Sequence, residues 1–246
     1  MSKDQAYSLF SQANQSFREA NSAKNLDQAK RFYEKAALAF ERIIDEGQVK
    51  NARLYYNLGN AYFLKGDIGK AILNYRRAEK LDNSDANIQK NLTFARSRRI
   101  DKVVTKTEKR VLQTLFFWHY DFSIKARFLF TCIFFGIVCI CVAGIVWFGR
   151  SAPWMVPAII CAILTTCFLV SLVVESRTKA GKIPGVITIK EVVARQGDGQ
   201  NYAPSFKEPL HEGTEFDLLE SRPGWLHIKL FNDNDTWIPQ DSAELM

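Results

Sequence analysis

The chain has 246 residues, 47% of them hydrophobic and 24% charged, with a formal net charge of +7. These proportions exclude a disordered or collagen-like polypeptide, and the length admits one or two ordinary domains. The averages conceal a partition: residues 1–125 are polar on balance, 128–174 almost wholly apolar, and 183–246 alternate in short runs.

The N-terminal part reads as helical repeats over residues 1–99, best between 52 and 85. There Tyr55, Leu58, Gly59, Tyr62, Ala71, Tyr75 and Ala78 predict one helix with an aromatic and aliphatic face, a small residue at a crossing, a turn at 65–67, and a second helix with an Ala/Tyr/Ala stripe. This pattern resembles a tetratricopeptide repeat of about 34 residues, with Asn83 in place of the terminal Pro. Ala36, Phe40 and Ile43 stand 35 residues before Ala71, Tyr75 and Ala78, which predicts a preceding pair whose first helix holds Phe10, Ala13 and Phe17. The spacing from Ala13 to Ala36 is about eleven residues too long for a regular repeat, so that pair is read as elongated. Ser84 and Asp85 cap a further helix carrying Ile88, Leu92 and Ala95. Two repeats and a closing helix form a short solenoid, expected to be marginal by itself. Such arrays bind protein segments along their first helices, where Arg53, Tyr56, Asn57 and Asn60 are the candidate partner-binding residues. Their amides and guanidinium suit a peptide backbone or a carboxylate.

Residues 100–125 read as a basic and amphipathic connector. Arg96, Arg98, Arg99, Lys102, Lys106, Lys109 and Arg110 are opposed locally by Asp101 and Glu108 alone. Without stacking aromatics on a basic surface this pattern gives no nucleic-acid signal. It suits anionic lipids, which attract a juxtamembrane cation by about 1 kcal/mol each. The apolar residues of 111–118 predict an interfacial helix, with Trp118, Trp147 and Trp154 as interfacial anchors.

The runs 128–148 and 154–174 have 21 residues each and no charge, the length of a membrane span. Gly149, Arg150, Ser151, Ala152 and Pro153 join them. So short a link cannot recross about 30 Å of hydrocarbon, so spans at 126–149 and 153–175 form an antiparallel hairpin and both soluble parts share one side. All five cysteines lie in these runs without C-x-x-C spacing. Cys132, Gly136, Cys139 and Ala143 on one span, and Ala158, Ala162 and Thr165 on the other, are expected to form the small-residue contact between them.

Residues 183–246 read as a small all-β barrel. Strands are expected within 186–193, 215–219, 226–231 and 236–239, with a turn at 197–199 and a hairpin tip at 232–235. Ala194-Arg195, Asn201-Tyr202, Leu210-His211-Glu212-Gly213-Thr214-Glu215, Gly224-Trp225 and Thr236-Trp237-Ile238-Pro239 are similar to the landmarks of bacterial SH3-like domains. Gly213 then serves a turn before a strand. Trp225 and Trp237 pack the core, or with Tyr202 line a peptide cleft. His119, His211 and His227 each stand without an acid-and-nucleophile pattern, and there is no phosphate loop, H-E-x-x-H or cysteine cluster. We therefore expect no enzyme, cofactor or metal.

The complete order, with Phe-Phe-Trp-His-Tyr-Asp at 116–121 and Tyr55-Tyr56-Asn57-Leu58-Gly59-Asn60 in the best repeat, resembles the BatE family of the bacterial aerotolerance operon. The resemblance implies an inner-membrane protein partnered with von Willebrand A-domain proteins and a MoxR-type AAA+ ATPase in stress tolerance. It also implies soluble parts outside the cytoplasm. The chain opens Met1-Ser2-Lys3-Asp4-Gln5 without the apolar stretch of a secretion signal, and the positive-inside rule places the same parts in the cytoplasm. The expected function is a membrane-anchored scaffold; the rival is an envelope sensor binding peptidoglycan through the SH3-like part.

Overall fold

The structure, a computed structural model, describes residues 1–101, 122, 124–149, 151–179, 181 and 183–246. They fall into two compact units. One contains the N-terminal helices and the C-terminal sheet together, and the other contains the two apolar helices.

Five helices open the chain: α1 (Lys3–Asn21), α2 (Leu26–Asp45), α3 (Ala52–Lys65), α4 (Ile68–Leu81) and α5 (Ala86–Ser97). Each begins where a side-chain oxygen accepts from otherwise orphaned amides, at Ser2, Asn25, Asn51, Asp67 and Asp85. Ser2 and Gln5 complete a capping box. Gly66 ends α3 at a φ of 98°, a left-handed position that glycine occupies without a Cβ penalty. Asp67 then starts α4 at once. The first pair is longer than the second, 19 and 20 residues against 14 and 14, which accounts for its stretched spacing. Ala36, Phe40, Leu58, Ala71, Tyr75 and Leu92 are buried in one core. A Cβ on Gly59 would lie 2.7 Å from the Tyr75 ring, so α3 and α4 cross where that backbone is bare.

The C-terminal part contains β1 (Ile183–Ile187), β2 (Glu191–Val192), β3 (Leu210–His211), β4 (Glu215–Arg222), β5 (Trp225–Leu230), β6 (Asp235–Pro239) and β7 (Ala243–Leu245). Neighbouring strands in the order β6-β5-β4-β1-β7 are antiparallel, and β2 pairs with β3 separately. Ile187, Phe216, Leu226, Ile228 and Ile238 form its core. Gly213 turns the chain before β4 at a φ of 84°. The strands at 210–211 and 243–245 were not expected, because two or three residues carry no alternation to read.

Sheet and repeat helices share a core: Val186 of β1 is buried among the helical side chains and Met246 packs on them. The amide of Gly69 at the start of α4 donates to Glu212 Oε2 at 3.1 Å, and a Cβ on Gly69 would meet the Ile187 carbonyl at 2.7 Å. The sheet thus supplies apolar cover that the short solenoid lacks.

In the second unit α6 (Ile124–Phe148) and α7 (Ala152–Lys179) pack on each other. Both are long and apolar enough to span a membrane, with mean hydropathy reaching 2.8 and 2.5. The expected stripe requires correction in part, since Ala158 and Thr165 are half-buried but its other members are not at the contact. Cys132, Cys139, Ala143 and Ala162 are exposed, and a Cβ on Gly136 would meet nothing. The contact runs instead through Arg127, Thr131, Cys141, Cys161, Phe168 and Ser171, with Phe134 stacked on Phe168 and Gly144 under Trp154. The inward stripe still consists mainly of small residues, Thr131, Cys141, Gly144, Cys161 and Ser171, with Phe168 the bulky one among them.

Candidate functional site

The helical repeat carries a pocket of about 330 Å³ lined by Phe17 of α1, Asn60, Phe63 and Leu64 of α3, Tyr75 of α4, and Asn91 and Phe94 of α5. The first helices of successive pairs therefore form its walls. Phe94 and Leu64 are exposed, and the rings of Phe63 and Phe94 meet at 5.4 Å. Arg98, one turn on at the C-cap of α5, sets its guanidinium over Phe94 at 5.0 Å, a cation–π contact.

A polar network fixes the pocket floor. Tyr75 Oη donates to Asn60 Oδ1 at 2.7 Å, and Asn91 Nδ2 reaches Asn60 Oδ1 at 2.9 Å and Tyr56 Oη at 3.0 Å. Burial pushes the Tyr75 phenol above its ordinary range, so it remains a donor. Asn60 Nδ2 and Asn91 Oδ1 take no protein hydrogen bond among the described residues, leaving an amide NH2 group as donor and a carbonyl oxygen as acceptor. No Asp or Glu occurs within α3 or α5, while Arg53, Lys90 and Arg98 are exposed.

Residues 20–84 match a family model, the tetratricopeptide repeat. The matched stretch contains α2, α3 and α4 whole, so the pocket walls from α1 and α5 lie mostly beyond it. A comparison with curated proteins found no match.

The expected binding residues are divided by the structure. Asn60 lines the tetratricopeptide-repeat pocket and Tyr56 supports it from half-burial, its ring 6.0 Å from Tyr75. Arg53 is exposed on the first turn of α3, and Asn57 is half-buried; neither lines the pocket. Sequence reasoning missed Phe63, Leu64, Asn91 and Phe94. Phe94 did carry a signal, since it falls off the Ile88, Leu92 and Ala95 stripe and exposes a large ring without a core reason.

Among the interface cations, Arg98 is exposed, but Arg99 requires correction. Its side chain is 10% exposed and ion-paired at 3.1 Å with Glu215, because a buried carboxylate needs cations that only α4 and α5 bring close. Lys102, Lys106, Lys109, Arg110 and Trp118 lie outside the described residues. Trp147 is 85% exposed, and Trp154 stacks on Phe148 with centroids 6.0 Å apart.

Tyr202, Trp225 and Trp237 do not form one cleft. Tyr202 lies over Gly197. Trp225 lines a shallow groove with Gln200, Gly224, Pro239, Gln240 and Asp241. Trp237 is buried yet belongs to the face opposite the core residue Ile238, stacked on His227 at 4.6 Å and covered by Arg222 at 4.7 Å. Alternation along β6 sends these neighbours to opposite faces, so Trp237 is packed away from solvent outside the cluster around Ile238. Both described histidines that seemed isolated have acid partners: His211 Nδ1 lies 2.9 Å from Asp101, and His227 Nε2 lies 3.0 Å from Asp235.

Proposed function

We propose that the protein is a non-enzymatic scaffold, anchored in the bacterial inner membrane by the α6–α7 hairpin, that holds extended segments of protein partners in its tetratricopeptide-repeat groove. The observation that supports this most is the exposed ring of Phe94 beside the spare amide donor and acceptor of Asn60 and Asn91. An extended backbone offers the matching C=O and N–H, and an apolar side chain of the partner fits among Phe17, Phe63, Leu64 and Phe94. The absence of acids from α3 and α5 favours partners with acidic flanks. Both soluble parts lie on one side of the membrane in this reading, the C-terminal sheet is SH3-like, and basic residues of the connector rest on anionic lipids. The BatE resemblance suggests von Willebrand A-domain proteins and a MoxR-type ATPase as partners in aerotolerance.

A photo-crosslinking residue at Phe94, compared in living cells with one at exposed Leu38, tests the groove. Adducts specific to position 94 and lost with Asn91→Ala support the reading, whereas equal yields at both positions overturn it. A second reading, peptidoglycan binding, draws on the Trp225 groove, where an indole stands beside Gln200, Gln240 and Asp241. Cosedimentation with purified wall, abolished by Trp225→Ala, would favour that alternative.

A further inference from the structure

Helix α5 has twelve residues, at the lower limit of the about 12–15 that an isolated helix needs in water. Its order therefore comes from its surroundings. Ile88, Leu92 and Ala95 are buried in the repeat core. Asn91 and Phe94 form a wall of the groove. At the C-terminal turn, Arg96 Nε and Nη2 donate to Glu215 Oε2 and Oε1 at 2.8 and 2.7 Å, and Arg99 Nη1 reaches Oε2 at 3.1 Å. Arg76 of α4 adds an ion pair at 3.2 Å through Nε, out of hydrogen-bond alignment. Just beyond the helix, Asp101 Oδ2 accepts from the His211 amide at 2.7 Å and from Thr214 Oγ1 at 2.6 Å.

One short helix thus meets the groove with a face and the sheet with an end. We propose that α5 couples the two: loosening the Glu215 clamp opens the groove wall, and damage to the groove wall weakens docking of the sheet. Such a coupling is reciprocal because it is a free energy shared between two sites. Its source is specific. Glu215 is 3% exposed, and without its charge Arg99, 10% exposed, and the inner part of the half-buried Arg96 gain solvation when the end of α5 moves outward. That displacement carries Phe94 and Asn91 with it, less than two turns away. The inference stands whatever the groove holds.

Hydrogen exchange on the full chain in detergent micelles tests it in both directions without a ligand. In Glu215→Gln, amides of residues 88–97 should exchange at least about tenfold faster than in the wild type, and by a larger factor than those of α2 and β5. In Phe94→Ala and Asn91→Ala, residues 211–216 should accelerate. Arg222→Ala, which breaks an exposed pair with Asp198, should alter neither segment. If Glu215→Gln does not fold, Asp101→Asn must produce the same pattern at smaller size. Unchanged α5 exchange in a folded clamp variant, wild-type rates over 211–216 in both groove variants, or acceleration spread evenly over every helix would each overturn the coupling.

Discussion

Arg96 and Glu215 meet fork to fork, 119 positions apart in sequence, through two hydrogen bonds of 2.8 and 2.7 Å. Bidentate charge-assisted contacts are among the stronger ones in proteins, and this one closes the helical repeat onto the C-terminal sheet. Burial alone would raise the Glu215 pKa. The hydrogen bonds from Arg96 and the charges of Arg96, Arg76 and Arg99 outweigh it and hold the carboxylate below its ordinary range.

Removing that charge leaves three guanidiniums around a neutral amide. Glu215→Gln should destabilise the helix–sheet unit by about 3–5 kcal/mol, the usual cost of breaking a buried pair from one side. Chemical unfolding followed by fluorescence of Trp225 and Trp237 checks this; a change within about 0.5 kcal/mol would show the clamp to be energetically idle.

Acid should act through the same junction. Asp101 resembles Glu215: burial raises its pKa, but hydrogen bonds from Thr214 and His211 dominate and the net direction is downward. A carboxylate whose folded pKa is depressed contributes stability that is complete above its unfolded pKa and is lost as pH falls through the folded one. The contribution of these two carboxylates should therefore be level above about pH 5 and be lost as the pH falls below about 4. Asp101→Asn should make that loss shallower, measured by denaturant titration at each pH.

Gly59→Ala should separate α3 from α4, since the new methyl would sit 2.7 Å from the Tyr75 ring, and a ring buried this deeply has little room to give way. Overpacking of this kind costs about 1–3 kcal/mol. The Tyr75 bond to Asn60 should weaken too, so adduct formation from a crosslinker at Phe94 should drop more than thermal stability implies.

Topology has a direct test. Cysteines placed at Ser11 and Ser242 of a chain whose native cysteines are replaced should respond alike to an impermeant reagent in intact cells. Opposite responses would break the hairpin reading, and labelling of both would place the soluble parts outside the cytoplasm.

Features with a local period were readable from the residues: helix pairs marked by the 35-residue echo of Ala36, Phe40 and Ile43, the cap at Asp85, two apolar helices, and strands with alternating burial. Periodicity reports which face an element buries, and the caps report where it starts. It could not report what lies opposite. The basic run before the membrane looked uniform, yet Arg96 and Arg99 turn to Glu215 while Arg98 remains exposed over Phe94. Likewise Cys132 and Cys139 had the spacing of a helix contact, but Thr131 and Cys141 of the same helix are the residues that turn inward.

The amino-acid order therefore determined the kinds of element, their lengths and their apolar faces, because these depend on neighbours within a turn or a strand. The tertiary structure alone decided that repeat and sheet form one body, that Asn91 and Phe94 complete the groove, and that His211 meets Asp101 across 110 positions. Those pairings depend on desolvation and charge between distant segments, and such forces leave no periodic trace in a chain read residue by residue.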